Sequence, residues 1–262
     1  MNRSDRWAVH RLLAHNTDQR LQLLRSVPKQ IVLAGADADE SRRLLAARYP
    51  QAAFAEYDPR AAFLQEAAAV RQTGLWQKLT GKAVPQYCRS LAEPLPEAVA
   101  DMLWSNLGLI TASRPVPVFE SWARALKPDG LLFFTHFGIG SLSGLTGRLN
   151  EAGITVNAPM LFDMHDLGDM LFHHGFYDPV MDTAKLELAY RRPETFWQDM
   201  ETLGLWASLD FSDEAAARAA VNQMFAAGET LNAALETVYG HAVKRRQLPA
   251  GESEVRFYPK QR

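Results

Sequence analysis

The chain has 262 residues, 47% of them hydrophobic and 22% charged, with a formal net charge of −2. That is enough for one sizeable core and too little for two large domains. The charge balance offers no general attraction to nucleic acid or to an anionic lipid surface, and no apolar run approaches the roughly 20 residues of a membrane span.

The single cysteine, Cys88, cannot build a disulfide framework or a cysteine metal site. It suits a reducing compartment, and the start Met1-Asn2-Arg3-Ser4 is too polar for a secretory signal, so a soluble cytoplasmic protein is expected.

In chain order, Leu12, Leu13, Leu21, Leu23 and Leu24 mark a helical segment that ends at Val27-Pro28, because proline disfavours helical backbone in the residue before it. Gln30-Ile31-Val32-Leu33-Ala34 reads as a strand stopped by Gly35, and residues 40–48 as a helix ending at Tyr49-Pro50. Residues 52–56 are a second strand; Pro59 is a helix-start signal, and residues 61–70 have good helix propensity. Ala100-Asp101-Met102-Leu103-Trp104-Ser105 reads as a buried strand, residues 118–126 as a helix, and residues 130–135 as the strand after the Lys127-Pro128-Asp129-Gly130 turn. A helix over residues 164–174 is stopped by Gly175. Extended segments at residues 185–190 and 235–243 then flank a helical stretch. Strands alternating with helices predict an α/β fold, a mostly parallel doubly wound sheet closed by a C-terminal strand pair.

Several segments carry more than periodicity. Asp101-Met102-Leu103-Trp104-Ser105-Asn106-Leu107, Leu126-Lys127-Pro128-Asp129-Gly130, His165-Asp166-Leu167-Gly168, Asp178-Pro179-Val180-Met181-Asp182 and Tyr239-Gly240-His241-Ala242 occur in the order found in the malonyl-acyl-carrier-protein O-methyltransferases of biotin synthesis. The chain resembles that family from about residue 30 to residue 244. The resemblance implies a seven-stranded class I (Rossmann-like) methyltransferase fold, S-adenosylmethionine as cofactor and an acyl carrier protein as partner. It also implies one domain over residues 1–262: an N-terminal helical segment (1–28), a cofactor-binding half (29–138), a substrate half (139–244) and a tail (245–262). The His-Asp-Leu-Gly segment is also similar to that of a mitochondrial complex I assembly methyltransferase, which implies a second substrate class.

Methyl transfer to a carboxylate needs no strong base, since the acceptor is ionised at neutral pH. The protein has to hold the cofactor and align the acceptor. In the family the cofactor cradle has an acidic residue near the end of the first strand and a Gly-x-Gly-x-Gly turn, where absent side chains permit close approach and positive φ. Aligned on Leu44-Leu45-Ala46-Ala47-Arg48-Tyr49-Pro50, this chain has Leu33 at the acidic position and Gly35, Asp37 and Asp39 at the glycines. Strained backbone at Asp37 and Asp39 is expected to cost about 1–3 kcal/mol each, which together weakens ligand binding roughly 30-fold to 10⁴-fold. Either aspartate also suits the N-cap of the following helix, and Asp37 with Glu40 has capping-box spacing.

Glu56 retains the position of the family's ribose-binding acid, whereas Arg89-Ser90 replaces the acid near the adenine. Asp58 reads as a turn residue before Pro59, and Arg89 as a solvated charge at a strand end. Gly35, Asp37, Glu56, Arg89, Ser90 and Asn106 are therefore the cofactor-side residues that the resemblance implies. His136, Tyr190 and Arg191 are candidates for the acceptor side, where a cation suits a carboxylate.

His165, His173, His174 and His241 lack metal-site spacing, and no nucleophile elbow or phosphate loop is present. Two functions are expected: a weakly active or silent homologue that binds a carrier protein or catalytic partner, or an active O-methyltransferase of malonyl thioester or another carboxylate.

Overall fold

A computed structural model describes residues 5–23, 27–73 and 84–246. Among them, seven strands make one sheet in the order β3-β2-β1-β4-β5-β9-β7. They are β1 (Gln30–Ala34), β2 (Ala53–Asp58), β3 (Gln86–Cys88), β4 (Ala100–Asn106), β5 (Leu126–Phe137), β7 (Phe176–Tyr190) and β9 (Leu231–Lys244). The first five run parallel, and β9 is antiparallel to both of its neighbours, β5 and β7. The predicted α/β sheet and its terminal antiparallel pair are present. A small separate ladder joins β6 (Val156–Asn157) to β8 (Asp210–Phe211).

Alternation along β1 sorts the sheet's two faces, because successive strand side chains point to opposite sides. Ile31 and Leu33 pack with Ala14 and Leu21 of the N-terminal segment, with Leu45 and with Trp104. These contacts come from α1 (Ala8–Arg20), the 3₁₀ turn Leu21–Leu23 and α2 (Glu40–Arg48). Val32 and Ala34 face the opposite layer, with Val118, Phe119 and Trp122 of α4 (Pro115–Ala125) and Leu167 and Leu171 of α6 (Met164–His173). Phe119, Trp122 and Phe134 meet edge to face or tilted, with ring centroids 5.7–6.2 Å apart; such pairs add to the burial of their area.

A third cluster joins α1 to α5 (Ser143–Glu151), α7 (Pro193–Thr202), α8 (Glu214–Ala226) and β9, through Leu13, Leu149, Phe196, Val221 and Leu235. α3 (Ala61–Thr73) follows β2.

Several boundaries move for local reasons. The first helix ends at Arg20 and tightens into a 3₁₀ turn; residues 24–26, which the prediction included, lie outside the described residues. The Lys127–Gly130 turn is an irregularity inside β5: Asp129 has φ 62° and the register jumps from Ala100↔Leu126 to Met102↔Leu131. β7 begins nine residues before the predicted extended segment and tolerates Pro179 through a bulge between Tyr177 and Val180, a usual place for a strand proline. Among the described residues no helix is long and apolar enough to cross a membrane.

Candidate active-site crevice

Strand order reverses between β1 and β4, and in open α/β sheets the crevice beyond the carboxyl ends of such strands is where ligands sit. Gly35 ends β1 with φ 112°, and a Cβ there would lie 2.8 Å from Gly108 Cα. A Cβ on Gly108 would lie 2.0 Å from the Ala34 carbonyl oxygen. The two turns thus meet backbone to backbone, and Gly108 is a requirement the sequence reading missed. Leu33, at the expected acidic position, is a buried core residue.

The turn after Gly35 keeps a glycine-like path at its end, with Ala38 at φ 52° and Asp39 at φ 71°. Asp37 is not among the positive-φ residues, so the expectation of strain at both aspartates is corrected: the left-handed positions are Ala38 and Asp39. Asp37 accepts hydrogen bonds from the Ser41 N–H (3.2 Å), from Ser41 Oγ and from Asn106 Nδ2 (2.7 Å). Burial pushes its carboxyl up to about 6, against the pull of those donors.

Asp37 lies three residues before Glu40 opens α2, and its carboxylate accepts the N–H of Ser41 in the first turn, as a capping residue does. The reciprocal half of the capping box is absent, because the Glu40 carboxylate turns to Arg11 and Arg43. Asp39 precedes the helix but makes no side-chain cap.

Asn106 ends β4 with every polar atom engaged. Its amide donates to Asp37 and to the His10 carbonyl, and its oxygen accepts from Thr135 Oγ1. Asp58 is fully buried and accepts from the Ala36 N–H at 2.7 Å and from Arg60. It ties the end of β2 to the turn after β1, an extension of its predicted turn role.

Glu56 is 1% exposed. Its Oε2 accepts from Arg71 Nη2 and from Gln86 Nε2, both at 2.7 Å. Burial pushes the carboxyl above its ordinary range, opposed by Arg71 and Gln86. Arg71 also donates through Nε to Asp39 Oδ1 at 2.6 Å and is itself 7% exposed. One guanidinium thus bridges the carboxylate at the third glycine position and the carboxylate assigned to the ribose. The sequence carries no local signal for this: Arg71 looks like any cation in the last turn of a helix, and 32 and 15 residues separate it from its two partners.

The start of α1 closes the same region. Trp7, Ala36, Ala38, Phe63 and Leu64 form one buried cluster, and the Trp7 indole N–H donates to Glu66. His10 stacks edge-on to Trp7, is fully buried, and has no hydrogen-bond partner on either ring nitrogen.

The other predicted residues separate from this group. Arg89 is half-buried rather than solvated: it pairs with Glu93, with its Nε buried and unpartnered, and Ser90 organises the same short turn through Ala92 and Glu93. His136 is fully buried, stacked on Phe162 and bonded through Nε2 to the Met160 carbonyl, with Nδ1 unpartnered; burial pulls it down to about 4. Tyr190, an acceptor-side candidate, is a core residue whose hydroxyl donates to Asp199 at 2.9 Å. Arg191 is exposed just beyond β7. Among the described residues no group of His, Cys, Asp and Glu is arranged to hold a metal.

Residues 34–134 match the methyltransferase domain family. The chain is 33% identical over 97% of its length to the malonyl-[acyl-carrier protein] O-methyltransferase of Laribacter hongkongensis, covering 91% of that protein. Among solved structures, YcgJ from Bacillus subtilis is similar with a TM-score of 0.56 at 14% identity, over 89% of this chain and all of that one. The 1,6-didemethyltoxoflavin-N1-methyltransferase of Burkholderia thailandensis, solved with S-adenosylhomocysteine, has a TM-score of 0.51 at 16% identity, covering 91% and 79% of the two chains. These likenesses establish the fold, and S-adenosylmethionine is the cofactor that goes with such a domain. On sequence identity and coverage together, this chain belongs to the malonyl-[acyl-carrier protein] O-methyltransferase family.

Proposed function

We propose that this protein is a weakly active or silent member of the family, which keeps the fold and the pathway context of biotin synthesis and works by binding an acyl carrier protein or a catalytic partner. Residues 29–138 build the crevice and residues 139–244 present the partner-facing half. The observation that carries the reading is the buried Arg71 guanidinium between Asp39 and Glu56. Against tight binding of S-adenosylmethionine, Glu56 Oε2, one of the two carboxylate oxygens that could accept from its ribose hydroxyls, already serves Arg71 and Gln86.

A guanidinium has donors only, so it cannot replace a carboxylate as acceptor. Fold alone does not decide activity, which belongs to the site.

Isothermal titration with S-adenosylmethionine and S-adenosylhomocysteine tests the reading. No binding heat is expected at ligand concentrations of about 1 mM, a threshold that already detects weak complexes. Micromolar binding, with methylation of malonyl-carrier protein that Glu56→Ala abolishes, overturns it. That outcome would leave the active O-methyltransferase, which the retention of Gly35 and Glu56 favours.

A further inference from the structure

We propose that Arg71 is an internal plug at the ribose end of the crevice, and that removing it together with Asp39 strengthens binding of an adenine nucleoside thioether. The proposal rests on the silent reading above and adds its cause.

The first support is the backbone. Gly35, Ala38 and Asp39 hold left-handed φ values of 112°, 52° and 71°, a conformation that side chains disfavour and glycine adopts freely. Gly35 still packs against Gly108 with no room for a Cβ. The glycine-type path of the cradle persists, so the obstruction lies in side chains rather than in a rebuilt loop.

The second support is the division of labour among those side chains. Asp37 is turned to Ser41 and Asn106, whose bonds saturate it. Asp39 and Glu56 are instead joined to each other through Arg71, whose Nε and Nη2 reach one carboxylate each. Asp39 has a second cation in Arg42, and Glu56 has a second donor in Gln86.

Removing Arg71 alone would strand carboxylates in a buried site, whereas exchanging Arg71 and Asp39 together conserves net charge. It leaves Glu56 oriented by Gln86 and free to accept from ribose hydroxyls. It also returns glycine to a position with φ 71°, where glycine carries no steric strain.

The test compares the wild type with Arg71→Ala/Asp39→Gly and with Arg71→Gln, using S-adenosylhomocysteine and adenosine as probes in isothermal titration. Circular dichroism and melting without ligand verify the fold of each protein. The double variant is expected to bind S-adenosylhomocysteine about tenfold or more tighter than wild type. Arg71→Gln, which retains one donor in a shorter, neutral side chain, is expected to bind more weakly than the double variant but measurably.

A folded double variant that binds no better than wild type overturns the plug and leaves the silent reading standing. If the double variant does not fold, the decision passes to Arg71→Gln, whose failure to bind has the same meaning. Micromolar binding by the wild type overturns both proposals.

Discussion

The Asn106 amide donates to Asp37 Oδ2 at 2.7 Å, joining the end of β4 to the turn that follows β1 across 69 residues of sequence. That bond gives a fully buried aspartate a fixed structural place at the mouth of α2.

Asp37 makes the stability of the protein depend on pH. Its carboxyl is raised to about 6 by burial, so the folded state binds its proton more tightly than the unfolded chain does. The contribution is complete below the unfolded value near 4 and is lost as pH rises through about 6. Asp37→Asn keeps an acceptor for Ser41 and removes the charge. Urea unfolding is expected to show the variant gaining about 1–3 kcal/mol over wild type between pH 4 and pH 7.5, and parallel pH profiles for the two proteins would sink the assignment.

His10 and His136 act in the opposite sense. Burial lowers them to about 3 and about 4; for His10 the nearby Arg60 and Arg6 add to the effect. Their folded values lie below the unfolded 6.5, so their contribution is intact above 6.5 and declines as pH falls from there toward the folded values. Each is expected to cost about 2 kcal/mol on going from pH 6.5 to pH 5. Because neither nitrogen of His10 has a partner, His10→Phe should raise the melting temperature at pH 5 more than at pH 7.5. An equal shift at both pH values would contradict a buried neutral imidazole.

Arg71 supplies a separable measurement of stability. Arg71→Ala leaves Glu56 without one of its donors and Asp39 with Arg42 alone, and breaking a buried pair from one side typically costs about 3–5 kcal/mol. The charge-balanced Arg71→Ala/Asp39→Gly pair is expected to lose clearly less, read from denaturant midpoints as a non-additive cycle. Additive losses would show that the two side chains do not act as a unit.

Gly108 tests the backbone contact beneath the crevice. A methyl at this position falls 2.0 Å from the Ala34 carbonyl, so Gly108→Ala has to push two strand ends apart. A loss above about 3 kcal/mol is expected, seen as a large drop in melting temperature. Gly147→Ala, with nothing within 4 Å of the added carbon, is the neutral or stabilising comparison in the same helix-forming chemistry.

The repeating core was legible without the structure, because burial of one face writes its own period. β1 and α2 fall on the expected residues, and β4 and α6 lie within one residue of expectation at the end that shifts. Gly35 was legible because it follows a strand whose apolar run is plain, whereas Glu56 was placed by the resemblance and sits within β2, which runs on to Asp58. β3, three residues long, and α5, which carries Gly144 and Gly147, were not, because too little period or propensity marks them.

The amino-acid order by itself determined the doubly wound sheet, the turn at Gly35 and the family, since local periodicity and motif order are properties of neighbouring residues. Only the tertiary structure decided what fills the crevice. Arg71, Asp39 and Glu56 come from a helix, a turn and a strand with no shared local pattern, and a buried ion pair forms wherever folding leaves charges no better partner than each other. The same is true of His10, a helical histidine until folding buries it against Trp7.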